Sequence, residues 1–293
     1  MKLRYIGYAC INRTLDSTTG RTLRLGNLTA EYVAEIITEN LSNLREILAW
    51  NVDHDLKMFR ISSSVIPFAS HPEFPLDWRA HFVDELAEIR QMAEQHELRL
   101  SMHPGQYTVL NSKKNDVVER AIAEIDYHAR FLDAVTPRGG DIIIHVGGAY
   151  GDKDKSRQRF ADNFTRLSTA SQRQLIIEND DTVYNVDEVL ELCADIGRPL
   201  VFDIFHHQCN PATEDWRDDL VGRLEEVVAT WQDRPPKCHI STGREGTRTS
   251  HADYISAEDF ETFVGLMAQV DGDAPFDLMV EAKEKDKAAL RLL

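Results

Sequence analysis

The chain has 293 residues, of which 42% are hydrophobic and 28% are charged, a composition typical of a soluble globular protein rather than a disordered or fibrous one. No stretch approaches about 18 uncharged apolar residues, and the N-terminus lacks the apolar block of a signal peptide, so we expect a cytoplasmic protein without a membrane segment. The formal net charge of −16, taken alone, argues against a polyanionic partner.

Eight short apolar or β-branched runs recur along the chain, separated by stretches with helical periodicity. The predicted strands are Leu3–Tyr8, Met58–Ser62, Leu98–His103, Asp141–Val146, Leu175–Asn179, Leu200–Phe205, Lys237–Ser241 and Phe276–Glu281. Between them, Thr29, Asn185 and Ser256 are predicted helix N-caps, and the last two have capping-box spacing. The alternation predicts a single (β/α)₈ barrel domain over residues 1–293, with a doubly wound open sheet as the alternative.

Metal-ligating residue types collect at the carboxyl ends of the predicted strands, where barrels of this class carry their active sites. Six consecutive strands supply them, and one more follows in the loop after the seventh strand. The candidate ligands are His103, His145, Glu178, Asp203, His206, His239, Glu281 and His251. Imidazoles and carboxylates without sulfur suit Zn²⁺ or Mn²⁺, and eight ligands are too many for one ion, so the pattern predicts two or three divalent ions.

The remaining histidines have other predicted roles. His207 adjoins His206, and because neighbouring side chains point apart, only one of the two should be a ligand; the spacing from Asp203 favours His206. Solvent-facing or core positions are expected for the histidines in predicted helices or polar stretches, which are His54, His81, His96 and His128.

Lys237 lies two residues before His239, so the period of a strand places both on one face. A protonated lysine beside clustered dications would be repelled. We therefore expect Lys237 to be neutral, turned away, or converted to an anionic carbamate.

Nine segments along nearly the whole chain carry motifs in a fixed order. They are GYACIN (7–12), FRISSS (59–64), SMHPGQYTVLNS (101–112), HVGGAYGDK (145–153), IENDD (177–181), PLVFDIFHHQCN (199–210), PKCHIS (236–241), HADYI (251–255) and MVEAKEK (279–285). Together they resemble the UV damage endonucleases, which share their barrel and metal arrangement with endonuclease IV. The HPGQY, IENDD and FDxxHH segments separate this resemblance from the sugar isomerases on the same barrel.

The resemblance implies roles for individual residues. One metal would be held by His103, His145 and Glu178, a second by Glu178, Asp203, His239 and Glu281, and a third by His206 and His251, with Asp253 a weaker candidate beside them. Gln106 and Tyr107 would enter the duplex at the lesion, while Tyr8 and Asn12 would line the DNA groove. The implied catalytic residues are Glu178, His71 near the scissile phosphate, and Lys237 in a carboxylated form.

The implied activity is DNA repair by a metal-dependent endonuclease. It would recognise cyclobutane pyrimidine dimers, 6-4 photoproducts and also abasic sites in UV-damaged double-stranded DNA, and would cut immediately 5′ of the lesion, leaving a 3′-hydroxyl and a 5′-phosphate. Mn²⁺ is the first choice of metal, with Zn²⁺, Mg²⁺ and Co²⁺ as alternatives. No membrane or obligate protein partner is expected, and the enzyme would associate with the nucleoid when acting on DNA.

Three other functions remain open at this point: an apurinic/apyrimidinic endonuclease of the endonuclease IV type, a barrel sugar isomerase or epimerase, and a lesion-binding protein without turnover. The charge distribution removes the objection to DNA. Residues 1–28 sum to +4, residues 153–173 to +4 and residues 234–248 to +3, and all three include loops at the predicted functional mouth. The acidic excess lies in residues 214–233 and 256–277.

Overall fold

Eight parallel strands close into a barrel in the computed structural model, which describes residues 1–137, 139–272 and 274–293. The barrel strands are β1 (Lys2–Ala9), β4 (Met58–Ile61), β5 (Arg99–Met102), β6 (Asp141–His145), β7 (Leu175–Glu178), β8 (Leu200–Asp203), β9 (Lys237–Ile240) and β10 (Pro275–Val280), and β2 (Ile11–Asn12) with β3 (Ser17–Thr18) forms a hairpin after β1. Each barrel strand pairs with its neighbours in sequence, and β1 closes the ring against both β4 and β10. The predicted barrel is confirmed, and the open-sheet alternative is wrong.

Helices follow the strands and surround the barrel. They are α1 (Ala30–Asp53), α2 (Trp78–His81), α3 (Val83–Gln95), α4 (Asn115–Val135), α5 (Lys153–Phe164), α6 (Thr169–Gln174), α7 (Val186–Ile196), α8 (Ile204–Cys209), α9 (Leu220–Thr230), α10 (Ala257–Met267) and α11 (Lys285–Leu290). α1 begins after Thr29, as predicted, and the Thr29 hydroxyl accepts a hydrogen bond from the Tyr32 backbone. The buried side of this helix is mainly apolar. Among the helices of the described residues, none is long and apolar enough to cross a membrane.

The two predicted capping boxes differ in outcome. Asn185 and Glu188 exchange reciprocal side-chain to backbone hydrogen bonds of 3.1 and 3.0 Å, so the first box is complete. Ser256 accepts a hydrogen bond from the Asp259 backbone, but its own N–H donates to the Thr242 hydroxyl instead of the Asp259 carboxylate. The second box is therefore only half formed, because an aspartate side chain is one methylene shorter than the glutamate that usually closes it.

The N-terminal end of the barrel contains an ionic floor, which we define as Arg4, Arg99, Asp141, Arg234, Lys237 and Asp277. Arg99 bridges the two acids, with Nη1 at 2.6 Å from Asp277 and Nη2 at 3.0 Å from Asp141. Arg4 binds Asp277 through two nitrogens, at 2.6 and 2.8 Å. Burial would raise the pKa of Asp141, but Lys237 and the arginines hold it well below its usual range.

This floor corrects the assignment of basic segments to the functional mouth. Arg4, Arg234 and Lys237 belong to two of the three segments that sum to a positive charge, yet they lie among the aspartates at the opposite end of the barrel. Summing the charge of a segment is misleading here, because the residues before and after a strand lie at opposite ends of the barrel.

Lys237 is fully buried in the floor, with Nζ 2.9 Å from Asp141 Oδ2. It occupies the first position of β9, two residues from His239 toward the N-terminal end. The sequence left three states open for Lys237: neutral, turned away from the metal cluster, or a carbamate. The structure favours the second, because the side chain points to Asp141 at the floor. Its catalytic role and its carboxylation stay predictions.

Burial lowers the pKa of the Lys237 ammonium to about 8, although Asp141 opposes the shift. An unfolded lysine titrates near its ordinary 10.5, so between these values the unfolded chain binds more protons and the free energy of unfolding rises with pH. We expect Lys237→Met to remove this rise, on the order of 3 kcal/mol. Urea unfolding of both proteins at about pH 7.5, 9 and 10 measures it.

Lys2→Met, at the exposed start of β1, is the matched control and should keep the wild-type profile. A wild-type minus Lys237→Met difference that stays constant across this pH range would contradict the assignment.

Candidate metal centre

Strand register brings the candidate ligands to one level at the carboxyl end of the barrel. His145 at the end of β6 pairs with Glu178 at the end of β7, and Asp203 at the end of β8 pairs with His239 on β9. Residues paired across parallel strands lie side by side, so the strands alone bring these four candidates close together.

Glu178 is the centre of the cluster. Its buried carboxylate lies 2.7 Å from His239 Nδ1, 3.2 Å from His103 Nε2, 3.6 Å from His145 Nε2 and 3.7 Å from His206 Nδ1. Burial would raise the pKa of this carboxyl, but His239 and His145 hold it well below its usual range. Glu178 is therefore an ionised carboxylate within reach of four imidazoles.

The other ligand candidates complete one connected group. Glu281 lies 3.3 Å from His239 Nδ1 and 3.9 Å from His251 Nδ1. Asp203 caps α8 by accepting a 2.9 Å hydrogen bond from the His206 backbone, and this turn directs the His206 ring back toward Asp203 and Glu178. The structure therefore brings together all eight predicted ligands.

The donor atoms fit divalent cations. Two sets have ligand atoms within 4.8 Å of one another: His103, His145 and Glu178, and Glu178, Asp203 and His239. Asp203 Oδ2 and His239 Nε2 are buried without a hydrogen-bond partner among the described residues, which is costly for polar atoms unless another group binds them. These buried His, Glu and Asp groupings could hold a metal.

Exposure is graded across the cluster. His239 and Asp203 are fully buried, whereas the side chains of His145 and His251 remain 32% and 25% exposed. The centre is thus closed at its base and open on one side, as a catalytic site that must admit a substrate requires.

Asn179, which the sequence analysis did not single out, organises the rear of the cluster. Its side-chain amide donates to the Asp203 carbonyl at 3.0 Å and accepts from the Asp203 N–H at 2.9 Å, and its own carbonyl lies 3.0 Å from His206 Nδ1. This last contact leaves His206 Nε2 for a ligand. The IENDD segment contained the signal, but only the register shows what the asparagine does.

Arg60 is the second residue that the sequence analysis missed. It forms an ion pair with Glu281, and its Nε has no partner among the described residues. Burial would raise the pKa of Glu281, whereas Arg60 and His239 lower it, so this carboxylate is ionised. Arg60 places a cation beside the candidate metal ligands, a property that the FRISSS segment alone does not reveal.

The residues predicted to lie outside the cluster do so. His207 is buried against the rings of Phe202 and Trp216, and burial lowers its pKa to about 4. Asp253, in contrast, is the weaker candidate ligand beside His206 and His251; it is exposed and belongs to neither donor set, so its role stays a prediction. The other four histidines lie at helix ends or within α4.

Among the described residues, no hydrogen bond or ring contact joins His71 to the candidate ligands. His71 lies half-buried in the loop between β4 and α2, where Nδ1 accepts a hydrogen bond from the Glu73 backbone and the ring meets the edge of Phe68. Its role near the scissile phosphate stays a prediction.

Gln106 and Tyr107 lie at the exposed tip of the loop that begins at His103. Tyr107 is 84% exposed, the highest value among the large hydrophobic side chains of the described residues. A candidate ligand histidine, His103, and a highly exposed aromatic ring therefore share one short loop.

Tyr8 and Asn12 require a correction, because both side chains are fully buried. The Tyr8 hydroxyl donates to Asn51 at 2.6 Å and accepts from Asn12 at 2.8 Å, and the Asn12 amide oxygen accepts from two backbone N–H groups of its own loop. Neither side chain is exposed to line a DNA groove in this conformation. They instead fix the loop after β1 to α1.

Comparisons with known proteins identify the family. The profile of the family described as UV-endonuclease UvdE matches residues 1–293. The chain belongs to this family. Members of the UV-endonuclease family are nucleases, so the protein is an endonuclease, as the motif resemblance predicted.

Three known proteins illustrate the relationship. A UV DNA damage endonuclease of Clostridium perfringens (strain 13 / Type A) is 34% identical over 98% of this chain and 69% of its own length. The crystal structure of SacUVDE covers 98% of this chain and 96% of its own, with 37% identity and a TM-score of 0.90. Endonuclease IV from Thermus thermophilus covers 98% and 97% with 14% identity and a TM-score of 0.61, and therefore supports the fold alone.

Glu178→Gln is expected to abolish stabilisation by Mn²⁺, because an amide replaces the one carboxylate that both donor sets share. Thermal unfolding with and without Mn²⁺ is the measurement. In the wild-type UV-endonuclease the Tm should rise, since a ligand at 100 times its Kd contributes about 2.7 kcal/mol.

Glu261→Gln, exposed on α10, makes the same chemical change away from the cluster and should respond as the wild type does. An equal Mn²⁺ shift in Glu178→Gln and wild type would exclude Glu178 as a ligand.

Proposed function

We propose that this UV-endonuclease family member recognises cyclobutane pyrimidine dimers and 6-4 photoproducts in double-stranded DNA and hydrolyses the phosphodiester immediately 5′ of the lesion, leaving a 3′-hydroxyl and a 5′-phosphate. The observation that carries the proposal is the loop after β5, which joins a ligand histidine, His103, to the exposed Tyr107. The residue that would hold a metal at the cut bond and the residue that would contact the damaged bases are therefore close together in the sequence.

Residues 1–293 would act as one cytoplasmic domain that binds the nucleoid when repairing DNA, without an obligate protein partner. We assign two or three divalent ions, with Mn²⁺ as the first choice, to the three ligand sets implied by the family resemblance. When bound, such ions acidify water and stabilise the charge on phosphoryl oxygens.

The protein's own residues prepare the site for this chemistry. Glu178 and Glu281 are ionised before a cation arrives, because histidines and Arg60 offset the cost of burying them. The open side of the cluster would admit the phosphodiester, and Arg60, paired with Glu281, keeps a positive charge beside the cluster. His71 and Lys237 would act in secondary roles.

Lesion selection would depend on how easily the duplex opens. A dipyrimidine photoproduct stacks and pairs poorly, so extruding it costs less than the few kcal/mol needed in intact DNA. The exposed Tyr107 ring can stack on a base, worth roughly 1–3 kcal/mol, and the Gln106 amide can occupy the vacated pairing position. Abasic sites open easily as well, so the same device would accept them.

A nicking assay with added Mn²⁺ tests the function. Irradiated supercoiled plasmid should be nicked by the wild type and left intact by Glu178→Gln, with Glu261→Gln as the active control. End-labelled duplexes carrying one photodimer or one abasic site, beside an undamaged duplex, fix the cut position and the substrate. Cleavage of the abasic duplex alone would assign the protein to the apurinic/apyrimidinic class, and cleavage of neither would reject the proposal.

Tyr107→Ala is expected to lower the ratio of cleavage rates on damaged and intact duplexes by about tenfold, because it removes stacking worth roughly 1–3 kcal/mol. Tyr32→Ala, which removes a 41% exposed tyrosine from α1, is the matched control. Its ratio should equal that of the wild type. An unchanged ratio in Tyr107→Ala would remove this residue from lesion recognition.

A further inference from the structure

The loops after β5 and β6 form one unit at the mouth of the barrel. Asn111 donates a hydrogen bond of 2.8 Å to the Gly148 carbonyl, and Lys113 Nζ donates one of 2.9 Å to the Tyr150 carbonyl. Each loop begins at a candidate metal ligand, the first at His103 and the second at His145. The Lys113–Tyr150 contact is thus tied to the metal cluster through both loops.

Tyr150 is held in a position that costs free energy. Its φ of 52° lies in the left-handed region, which residues other than glycine seldom adopt, and its side chain is 41% exposed. A Cβ on Gly148 would approach the ring to 3.3 Å, so the glycine lets the ring lie against the backbone. An exposed aromatic ring gains little from being placed in this way unless something binds there.

Two cations lie at the Tyr150 ring. Lys113 Nζ is 5.8 Å and Arg159 Cζ is 5.5 Å from the ring centroid, within the range of cation–π contacts. Arg159 is held by hydrogen bonds to the Asn111 carbonyl and the Ser156 hydroxyl. Both positive charges are therefore positioned by the two loops.

These two cations differ from their neighbours on α5 in having no acidic partner. Lys153 pairs with Glu188, Lys155 with Asp152, and Arg157 with Asp154 and Glu191. Across the described part of the chain, no carboxylate forms an ion pair with Lys113 or Arg159. The positive charges of Lys113 and Arg159 are therefore available to an external anion.

We propose that Lys113, Tyr150 and Arg159, the Tyr150 ridge, bind the backbone phosphates of the DNA flanking the lesion. Lys113 and Arg159 contact phosphate oxygens, and Tyr150 keeps both cations at the face of its ring. This proposal depends on the proposed function only for the identity of the polyanion, which is DNA. The ridge holds the duplex in register on the metal cluster and carries no preference for damage, because phosphates are the same in damaged and intact DNA.

The decisive variant is Lys113→Gln, which keeps a hydrogen-bond donor for the Tyr150 carbonyl but removes the charge. Its affinity for a damaged and an intact duplex is measured by fluorescence anisotropy over a series of salt concentrations, with a chelator present so that the DNA stays intact. Lys2→Gln, at the opposite end of the barrel, makes the same change in net charge and is the control.

Lys113→Gln should bind both duplexes about tenfold more weakly than Lys2→Gln, and the plot of log affinity against log salt should be about one unit shallower. The ratio of the two affinities should stay constant. Binding curves that coincide with those of Lys2→Gln would overturn the ridge and reduce Lys113 to a contact between loops. The proposed function would still stand in that case if the wild type nicks irradiated plasmid. A wild type that neither nicks nor binds DNA would reject the proposed function itself.

Discussion

The buried carboxylate of Glu178 is the constraint on which the functional end of this barrel depends. A buried ionised carboxylate is tolerated only when neighbouring groups compensate for the lost hydration, and here four imidazoles lie within 3.7 Å of it. His103, His145 and His239 come from the ends of three different strands, and His206 from the turn after a fourth. The cluster therefore exists only when the barrel is closed, so the fold and the site form together.

The two ends of the barrel solve the problem of buried charge in opposite ways. At the floor, Asp141 and Asp277 are matched to arginines and a lysine of the chain itself, which leaves little for a ligand to do. At the mouth, histidines that could themselves bind a cation surround the acids, and polar atoms such as Asp203 Oδ2 remain unpaired among the described residues. The first arrangement suits stability, and the second suits binding and chemistry.

The barrel and the convergence of the eight ligand candidates could be predicted from the sequence, because apolar runs mark strands and strand ends share one edge. The direction of individual side chains could not. Tyr8 and Asn12 stand beside the mouth in sequence but are buried against α1, and Arg60 turns toward Glu281. Lys237 points to the floor because register, which no local pattern specifies, sets its depth in the barrel.

The ionic floor also bears on how such an enzyme can change over evolutionary time. Its ion pairs hold β1, β5, β6, β9 and β10 together at the end of the barrel opposite the candidate metal ligands, and they share no residue with the cluster around Glu178. Substitutions in the loops at the mouth can therefore alter which damaged structure is accepted while the strands stay in place. The stable ion pairs at the floor therefore let the loops at the mouth acquire new specificities while the fold is retained.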